Sequence, residues 1–332
     1  MAETAPPSPA AAWHAGIDIG GTKVAVCLAR AAPAGGDPPE LVQRLAAPTV
    51  RTGAVDALAR QVLGLLEDAC ARQGVERGAL AGVGVSSCGP FVRRGGAIEV
   101  ANPNICGGLA GAAGPRALDN DWREVPLQAP LAEALGGVPL RIANDAVAAL
   151  EAERRWGALA GIDDCAYVTW STGVGVGLCV DGRVLGGKNG NAGHAGHSFV
   201  GDVPGPAPLC GCGNRGDVES LVGGGLLPAR LGVRAPALLQ AAGRGDAAAL
   251  AQVRQLCCLM GRLLYNLVAT LDLERISLGG AVFLHHQALL LPLLREQVQQ
   301  YFPALTQGVQ LVPAGLGPQV ADYAALALLP KG

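Results

Sequence analysis

The stretch Asp18-Ile19-Gly20-Gly21-Thr22-Lys23 decides the fold, because it places a glycine turn between two apolar segments. The segments on either side, within residues 15–28, predict two strands, and the paired glycines permit the positive φ angles of a tight hairpin. Backbone N–H groups and the Thr22 hydroxyl at such a turn can bind a phosphate that approaches closely. A glycine-rich hairpin without a ligand is the alternative that this stretch leaves open.

A second stretch, Ser171-Thr172-Gly173-Val174-Gly175-Val176-Gly177, repeats the design, with small hydroxyl residues followed by three alternating glycines. The first stretch is not a Walker A loop, because Thr22 precedes Lys23 and a strand follows where that loop needs a helix. A dinucleotide-binding loop is disfavoured for both stretches, since neither has Gly-x-Gly-x-x-Gly opening a helix. Two hairpins of one design favour phosphate binding over unliganded turns.

The pattern around the two hairpins predicts two α/β units. In the first unit, a helical spacing over 54–70 is followed by an apolar strand over 80–85, which is typical of an α/β domain with a mixed sheet. Residues 105–121, rich in Gly and Ala, are predicted to form a loop. Further along the chain, the pattern predicts a strand at 140–143, near the boundary of the units, then a helix at 146–156, the hairpin at 166–180, a helix at 250–271, a strand at 275–278 and a helix at 323–329. Two such units facing each other would form a cleft.

The composition excludes several classes of protein. The chain has 332 residues, half of them apolar, and a net charge of −2. Without a basic excess we expect no nucleic-acid partner, and without an apolar run near the ~20 residues that cross a bilayer we expect no membrane span. Residues 1–12 lack a basic segment and a long apolar stretch, so we expect no secretory signal. Cysteines scattered through apolar segments indicate reduced, buried thiols and hence a cytoplasmic protein.

Asn144-Asp145 lies between a predicted strand and a predicted helix. A carboxylate at the C-terminal end of a strand points into the crevice where ligands bind in α/β sheets. Phosphoryl transfer needs a group that accepts the proton of the attacking hydroxyl, and Asp145 suits this role, while Asn144 can bind another hydroxyl. Alternatively, Asp145 is only the N-cap of the helix. The motifs around it favour the catalytic role.

Other residues near the hairpins are candidates for binding a nucleotide. Asp18 can hold the Mg²⁺ ion that accompanies nucleotide phosphates. Lys23 could contact a phosphate, although a solvated strand residue is the simpler interpretation. Gly279-Gly280, between a strand and a helix-like stretch, could let an adenosine ring lie against the backbone. A plain strand-to-helix turn explains this glycine pair nearly as well.

His197, Cys210, Cys212 and Asp217 could supply the four ligands of a zinc ion. The Cys-x-Cys-Gly spacing is tight, and the neighbouring glycines let the chain wrap closely. The loop has only two cysteines, however, and carboxylates are uncommon in structural zinc sites, so an unliganded loop remains an alternative. Glu219, just beyond, is a candidate for binding a substrate hydroxyl, with a surface salt bridge as the alternative.

Taken together, these motifs resemble those of the ROK family of sugar kinases, repressors and related open reading frames, within the actin-like ATPase superfamily. The resemblance runs from about residue 16 to residue 328. The two hairpins are similar to the family's two phosphate loops, Asn144-Asp145 to its substrate asparagine and catalytic aspartate, and Leu278-Gly279-Gly280 to its adenosine motif. Residues 193–197 align with the family's Gly-Glu-x-Gly-His, and residues 210–219 with its Cys-x-Cys-Gly-x-x-Gly-Cys-x-Glu.

The resemblance implies a two-lobed actin-like ATPase (ribonuclease H-like) fold, with an interdomain cleft that closes over a sugar. We expect a disordered tail over 1–13 and an N-terminal domain over 14–142, which a C-terminal helix at 318–330 joins. A larger C-terminal domain over 143–317 would carry the zinc-like loop 197–219. The resemblance also implies ATP- and Mg²⁺-dependent phosphorylation of a hexose, generally at the 6-hydroxyl, by a homodimer or homotetramer.

Two positions depart from the family pattern: a family glutamate is His194 here, and the third zinc cysteine is Asp217. Histidine offers one acceptor when neutral and none when charged, so the choice of sugar is open at this position. Aspartate offers a harder oxygen ligand, so zinc binding is open too. The long loop between Asn104 and Trp122 could also reshape the sugar pocket. Residues 1–15 leave no room for the helix-turn-helix domain of the repressors, so a kinase is favoured.

The sequence therefore predicts an ATP-dependent hexose kinase, with glucose as the first candidate. The alternatives are an N-acetylhexosamine kinase acting on N-acetylglucosamine or N-acetylmannosamine, and a non-catalytic sugar-binding regulatory protein of the same fold. The predicted cofactors are ATP, Mg²⁺ and a structural Zn²⁺ ion at the four ligands named above. The predicted site consists of catalytic Asp145, the sugar-binding residues Asn104, Asn144, His194, His197 and Glu219, and the nucleotide-binding residues Asp18, Gly20, Gly21, Thr22, Lys23, Ser171, Thr172, Gly173, Gly175, Gly279 and Gly280.

Overall fold

A computed structural model describes residues 12–30, 36–109, 118–202, 205 and 207–330. Residues 1–11 of the predicted N-terminal tail, and residues 110–117 of the predicted loop, lie outside the described residues. Trp13, the last residue of the predicted tail, already belongs to the first strand. Among the described residues, no helix combines the length and the apolar character that a membrane span needs.

Three β-sheets organise the described part of the chain. Their strands are β1 Trp13–Ile19, β2 Lys23–Arg30, β3 Leu41–Pro48, β4 Leu80–Ser87, β5 Phe91–Arg94, β6 Ala97–Val100, β7 Val125–Pro126, β8 Leu140–Asn144, β9 Cys165–Trp170, β10 Val174–Val180, β11 Arg183–Val184, β12 Arg275–Gly279 and β13 Gln310–Pro313. The first sheet has the order β3-β2-β1-β4-β8, the second β11-β10-β9-β12-β13, and the third β5-β6-β7. The sequence analysis did not predict the third sheet, because its strands are too short to show an alternating pattern.

The described residues also contain α-helices, several of which connect strands of the two larger sheets, so the predicted α/β class is confirmed. They are α1 Ala57–Gln73, α2 Gln128–Leu135, α3 Asp145–Trp156, α4 Val218–Val222, α5 Leu227–Leu231, α6 Ala235–Gly243, α7 Ala247–Leu271, α8 Ala281–Leu284, α9 Gln287–Gln299, α10 Pro303–Thr306 and α11 Val320–Ala327. The long helix α7 begins three residues before its predicted start, because the Asp246 side chain caps it by accepting a hydrogen bond from Ala249 N at 2.8 Å.

The two five-stranded sheets repeat one topology. Each has an antiparallel hairpin at its centre, β1–β2 in the first sheet and β9–β10 in the second. Each hairpin is extended on one side by an antiparallel strand and on the other by two parallel strands. The strand β8 continues to Asn144, so the first sheet extends two residues past the predicted domain boundary.

The helices that follow the last strand of each sheet are exchanged between the sheets. The helix α3 follows β8 of the first sheet but packs on β9 and β10, whereas α11 follows β13 of the second sheet but packs on β1 and β4. At Gly84 of β4 the approach is so close that a Cβ atom would overlap the Ala325 carbonyl oxygen of α11. We call residues 13–144 with α11 lobe 1, and residues 145–313 lobe 2. The start of α3 lies where the two lobes join.

A buried carboxylate fixes α3 within lobe 2. The Glu153 side chain on α3 is fully buried and accepts hydrogen bonds from Ser277 Oγ of β12 at 3.0 Å and from the backbone N–H groups of Ala158, Gly315 and Leu316, each at 2.9 Å. Since a buried carboxylate needs such partners, Glu153 ties α3 to β12 and to the turn that leads into α11.

Candidate functional site

The first hairpin turns at residues 20–23, where Gly20 N donates to Lys23 O at 2.9 Å. Asp18 lies one residue before the end of β1, and Ser86 Oγ of the neighbouring strand donates to its carboxylate at 3.4 Å. Burial raises the pKa of Asp18, while the charge of Lys23 and the Ser86 hydrogen bond oppose this rise. A carboxylate so placed at the base of the turn can hold a cation that accompanies a phosphate.

Residues that follow β3 hold the first hairpin in place. Thr49 Oγ1 donates to Gly20 O at 2.7 Å, and Thr49 N donates to Thr22 O at 3.1 Å. The Arg51 guanidinium donates to Gly21 O. These bonds occupy the carbonyl oxygens of the turn from within lobe 1.

The second hairpin turns at residues 171–173, where Ser171 N donates to Gly173 O at 2.9 Å. Its support comes from Glu219 of α4, whose Oε2 accepts a hydrogen bond from Val174 N at 2.9 Å. The side chain lies so close that a Cβ atom at Gly173 would overlap the carboxylate oxygen. Glycine is therefore required here by the closeness of Glu219. Gly175 follows in β10, opposite Thr169 of β9.

A pocket of about 300 Å³ opens beside the second hairpin. It is lined by the hairpin residues Ser171 and Thr172, by other small or apolar residues, and by one charged residue, Arg234. Gly224 N and Gly225 N donate to the Ser171 and Thr172 carbonyl oxygens at 2.8 and 2.9 Å. Of the predicted adenosine pair, Gly279 ends β12 and Gly280 precedes α8, directly before the pocket residues 281–282. The pocket therefore combines the hydroxyl groups of Ser171 and Thr172 with small and apolar lining residues.

Asp145 begins α3, and Asn144 is the residue that caps this helix. Asn144 Oδ1 and Asp145 Oδ1 accept hydrogen bonds from Ala146 N at 3.1 and 2.8 Å. Asp145 remains exposed, although protein surrounds its carboxyl group closely. This desolvation raises the pKa of Asp145 to about 6; the Ala146 N–H opposes the rise and the charge of Asp18 adds to it. Asp145 is thus an accessible base with a pKa close to neutrality.

Asn144 and His194 face a common space. A Cβ atom at Gly89, which follows β4, would lie 2.9 Å from His194 Nε2 and 3.1 Å from Asn144 Nδ2. Burial lowers the pKa of His194, as does the charge of His197, whose ring centroid lies 6.1 Å away. Asn104, by contrast, is exposed and abuts the first hairpin, with its Cβ 2.7 Å from a Cβ atom built on Gly21.

The four predicted metal ligands come together at the edge of lobe 2. One ligand atom from each of His197, Cys210, Cys212 and Asp217 lies within 4.8 Å of the others. Asp217 Oδ2 lies 3.3 Å from His197 Nδ1 and 3.2 Å from Cys212 Sγ, and Cys210 Sγ lies 3.6 Å from His197 Nδ1. Cys210 Sγ also donates to Glu219 Oε1 at 3.4 Å, so this cluster contacts the residue that supports the second hairpin.

Sequence analysis missed the residues that hold the hairpins and complete the pocket. Thr49 and Arg51 gave no local signal, because their role depends on contacts with a turn about thirty positions earlier in the chain. The glycine run at 223–225 was a visible signal, since such a run often marks close backbone approach. Arg234 is the residue before α6, and it could not be assigned to the pocket without the fold.

The family model and the related sequences that match this chain agree on one family. The ROK family model matches residues 14–331. Glucokinase of Aeropyrum pernix is 30% identical over 334 residues, covering 94% of this chain and 95% of that enzyme. N-acetylmannosamine kinase of Citrobacter koseri is 34% identical over 272 residues, covering 80% of this chain and 82% of that enzyme.

Comparison with solved structures gives the same result. A ROK family glucokinase from Streptomyces griseus, solved with glucose and AMPPNP, is 25% identical with a TM-score of 0.69 and covers 96% of this chain and 100% of that one. This likeness confirms the predicted two-lobed, actin-like fold.

Proposed function

The chain belongs to the ROK family, and we propose that it is an ATP-dependent hexose kinase that phosphorylates glucose at the 6-hydroxyl. The relatives that carry kinase names support the reaction class. The observation that carries the proposal is the Asp145 carboxylate, which is exposed at the junction of the lobes with a pKa of about 6. General bases are most efficient when their pKa lies near the working pH.

In the proposed reaction, Asp145 accepts the proton of the sugar 6-hydroxyl as the hydroxyl oxygen attacks the γ-phosphorus of ATP. The bond from the γ-phosphorus to the β,γ-bridging oxygen breaks, and ADP leaves with that oxygen. Asn144 and His194 bind other hydroxyls from the two sides of the space next to Gly89. His197 and Glu219 would complete the sugar site from lobe 2. Since the transition state of phosphoryl transfer is stabilised mainly by positioning and electrostatics, these contacts set the line of attack.

The two hairpins would hold the nucleotide. Residues 20–23 and 171–175 present backbone N–H groups and the hydroxyls of Thr22, Ser171 and Thr172 to the phosphates, and the pocket beside the second hairpin accepts the adenosine. Asp18, with its carboxylate at the base of the first turn, would hold the hydrated Mg²⁺ ion, which neutralises charge on the phosphates.

A coupled assay of ATP consumption over a panel of hexoses tests the proposal. We expect glucose to stimulate turnover, and we expect Asp145→Asn to lower kcat about 10²- to 10⁴-fold, the usual contribution of a general base. If no hexose stimulates turnover above the level of this variant, the proposal is wrong.

Thermal unfolding shows whether Asp145→Asn remains folded. The pKa of Asp145 is raised from 3.8 to about 6 in the folded state, so the contribution of this carboxyl to folding stability falls as the pH rises between these two values. The stabilising effect of the protonated carboxyl is present at low pH and lost as the pH rises through about 6. We therefore expect the variant to be at least as stable as the wild type at pH 8, with a smaller advantage at pH 5.

A second candidate substrate is an N-acetylhexosamine. It is favoured by the likeness to N-acetylmannosamine kinase and by His194, whose neutral ring has a single acceptor where a glutamate would have several. Including N-acetylglucosamine and N-acetylmannosamine in the panel separates the two substrates by their kcat/KM values.

We also propose one structural zinc ion at His197, Cys210, Cys212 and Asp217. Zinc–ligand bonds of about 2.0–2.3 Å in a tetrahedron place ligand atoms about 3.3–3.8 Å apart. Three of the six separations between ligand atoms, at 3.2, 3.3 and 3.6 Å, lie within or close to that range, and all six are within 4.8 Å. Asp217 can replace a cysteine because its two oxygens are divided: Oδ1 accepts from Ser220 N at 2.9 Å to cap α4, and Oδ2 faces the other ligands.

Elemental analysis of protein purified without added metal tests the zinc proposal. We expect about one zinc per chain, and well under one after Cys212→Ala. Wild-type protein with no zinc would reject the site.

A homodimer or homotetramer and a cytoplasmic location stay predictions. Light scattering of the purified chain tests the oligomeric state.

A further inference from the structure

Asn191 makes a two-point contact between the lobes. Its side-chain Oδ1 accepts a hydrogen bond from Phe91 N, and its Nδ2 donates to Phe91 O, both at 2.7 Å. The two residues are 100 positions apart in the chain. Phe91 begins β5 in lobe 1 and its side chain lies in the core of that lobe, whereas Asn191 lies in lobe 2, between β11 and His194. One side-chain amide therefore pairs with both backbone groups of a residue from the opposite lobe.

The segments joined by this contact also border the sugar site. Gly89, two residues before Phe91, faces His194, three residues after Asn191, as the 2.9 Å approach of His194 Nε2 to a Cβ position at Gly89 shows. The backbone of Asn191 is itself hydrogen-bonded to the His194 ring. The main chain of Asn191 thus contacts His194, and its side chain binds Phe91 of lobe 1.

A paired hydrogen bond of this kind fixes both distance and angle. A single bond lets two segments rotate about it, whereas two parallel bonds from one planar amide do not. The contact is partly buried, so water competes with it less than at an open surface. The width of the space between Gly89 and His194 therefore depends on whether the Asn191 amide is present.

We propose that Asn191 is a positioning residue for the sugar: it sets the separation of Gly89 and His194 and thereby the affinity for the hexose. This inference rests on the proposed hexose kinase function. The nucleotide pocket contains neither Asn191 nor Phe91 among its lining residues, so ATP affinity should be spared.

Steady-state kinetics of Asn191→Ala and Asn191→Gln, together with calorimetry of sugar binding, test the proposal. The control is Asn266→Ala, which changes an exposed asparagine on α7. Losing two hydrogen bonds should raise the sugar KM and the sugar Kd of Asn191→Ala about 5- to 150-fold. We expect the KM for ATP to change less than about twofold, and Asn191→Gln, which keeps the amide on a longer stem, to recover part of the loss.

Two results would overturn the proposal. One is a sugar KM for Asn191→Ala that matches the control. The other is an equal rise in the KM values for sugar and ATP together with a lowered Tm, which would mean that the contact only stabilises the fold. Failure of the proposed function looks different, because the wild type itself would then show no hexose-stimulated turnover. In that case, hydrogen exchange at the Phe91 amide tests the contact itself. If exchange in Asn191→Ala is no faster than in the wild type, the contact with Phe91 does not form in solution.

Discussion

The two glycine hairpins occupy equivalent places in two sheets of the same topology, yet they are held in different ways. The first, at residues 20–23, is held from within its own lobe by Thr49 and Arg51, which follow the adjacent strand β3. The second, at residues 171–173, is held by Glu219 of α4, which is distant in sequence and contacts the metal-like cluster. The two sheets therefore share the hairpin turn, whereas the residues that hold the turn in place differ.

The chemistry of the hairpins differs as well. Asp18 precedes the last residue of β1, and the equivalent residue before the end of β9 is Thr169. The acidic groups of the proposed reaction lie near the carboxyl ends of two strands of the first sheet, Asp18 within β1 and Asp145 directly after β8, while the second hairpin contributes hydroxyls. In the proposed mechanism, the carboxylates therefore act at the end of the first sheet, where the two lobes join, and Glu219 of lobe 2 links the second hairpin to the metal-like cluster.

Of the changes that test this difference between the hairpins, Glu219→Ala is expected to have the largest effect on activity. It removes the acceptor for Val174 N, and hydrogen bonds to charged groups contribute about 1.5–3 kcal/mol, so kcat/KM for ATP should fall about 10- to 150-fold. Glu219→Gln keeps an oxygen for Val174 N and should retain more activity toward ATP. Steady-state kinetics with each substrate varied in turn measure both. If Glu219→Ala raises only the sugar KM, Glu219 does not support the hairpin in solution.

The pH profile of the reaction tests the proposed role of Asp145 as the base at the junction of the lobes. The base must be ionised to accept a proton, and the pKa of Asp145 is raised to about 6, so kcat/KM for the sugar should be flat above pH 7 and fall about tenfold per pH unit below 6. The residual activity of Asp145→Asn should lack this break. A profile that stays flat down to pH 5 in the wild type would remove Asp145 from the role of base.

The sequence predicted the parts of the fold and site that depend on local pattern. Both hairpins, the strand before Asn144 and the helix after it were visible, because apolar spacing and glycine turns act within a few residues. The cap of α3 was not, since Asn144 and Asp145 are both good capping residues and only the backbone shows that Asn144 takes that place.

The supports of the site could not be predicted for a different reason. Asn191 and Phe91 are 100 positions apart, and nothing in either segment indicates the other. Likewise, the alignment with a family motif identified Asp217 as a departure, but not that its two oxygens serve different partners. Residue identity was readable from the chain, whereas the contacts that orient each residue arise only when distant segments pack.

The smallest expected effect is that of Thr49→Val. This variant tests whether the contact that holds the first hairpin affects ATP binding beyond its effect on the stability of the fold. Thr49→Val removes the hydrogen bond to Gly20 O but keeps the shape of the side chain and the bond from Thr49 N. A neutral hydrogen bond contributes about 0.5–1.5 kcal/mol, so the KM for ATP should rise about 2- to 10-fold.

Thr306→Val is the matched control, since Thr306 is equally buried, at 7% exposure, and donates to the Phe302 carbonyl oxygen of lobe 2. Both variants should lower Tm slightly, but only Thr49→Val should change the KM for ATP. Equal KM changes in the two would mean that the hairpin responds to stability alone, and that its support from lobe 1 is no more specific than any other buried hydrogen bond.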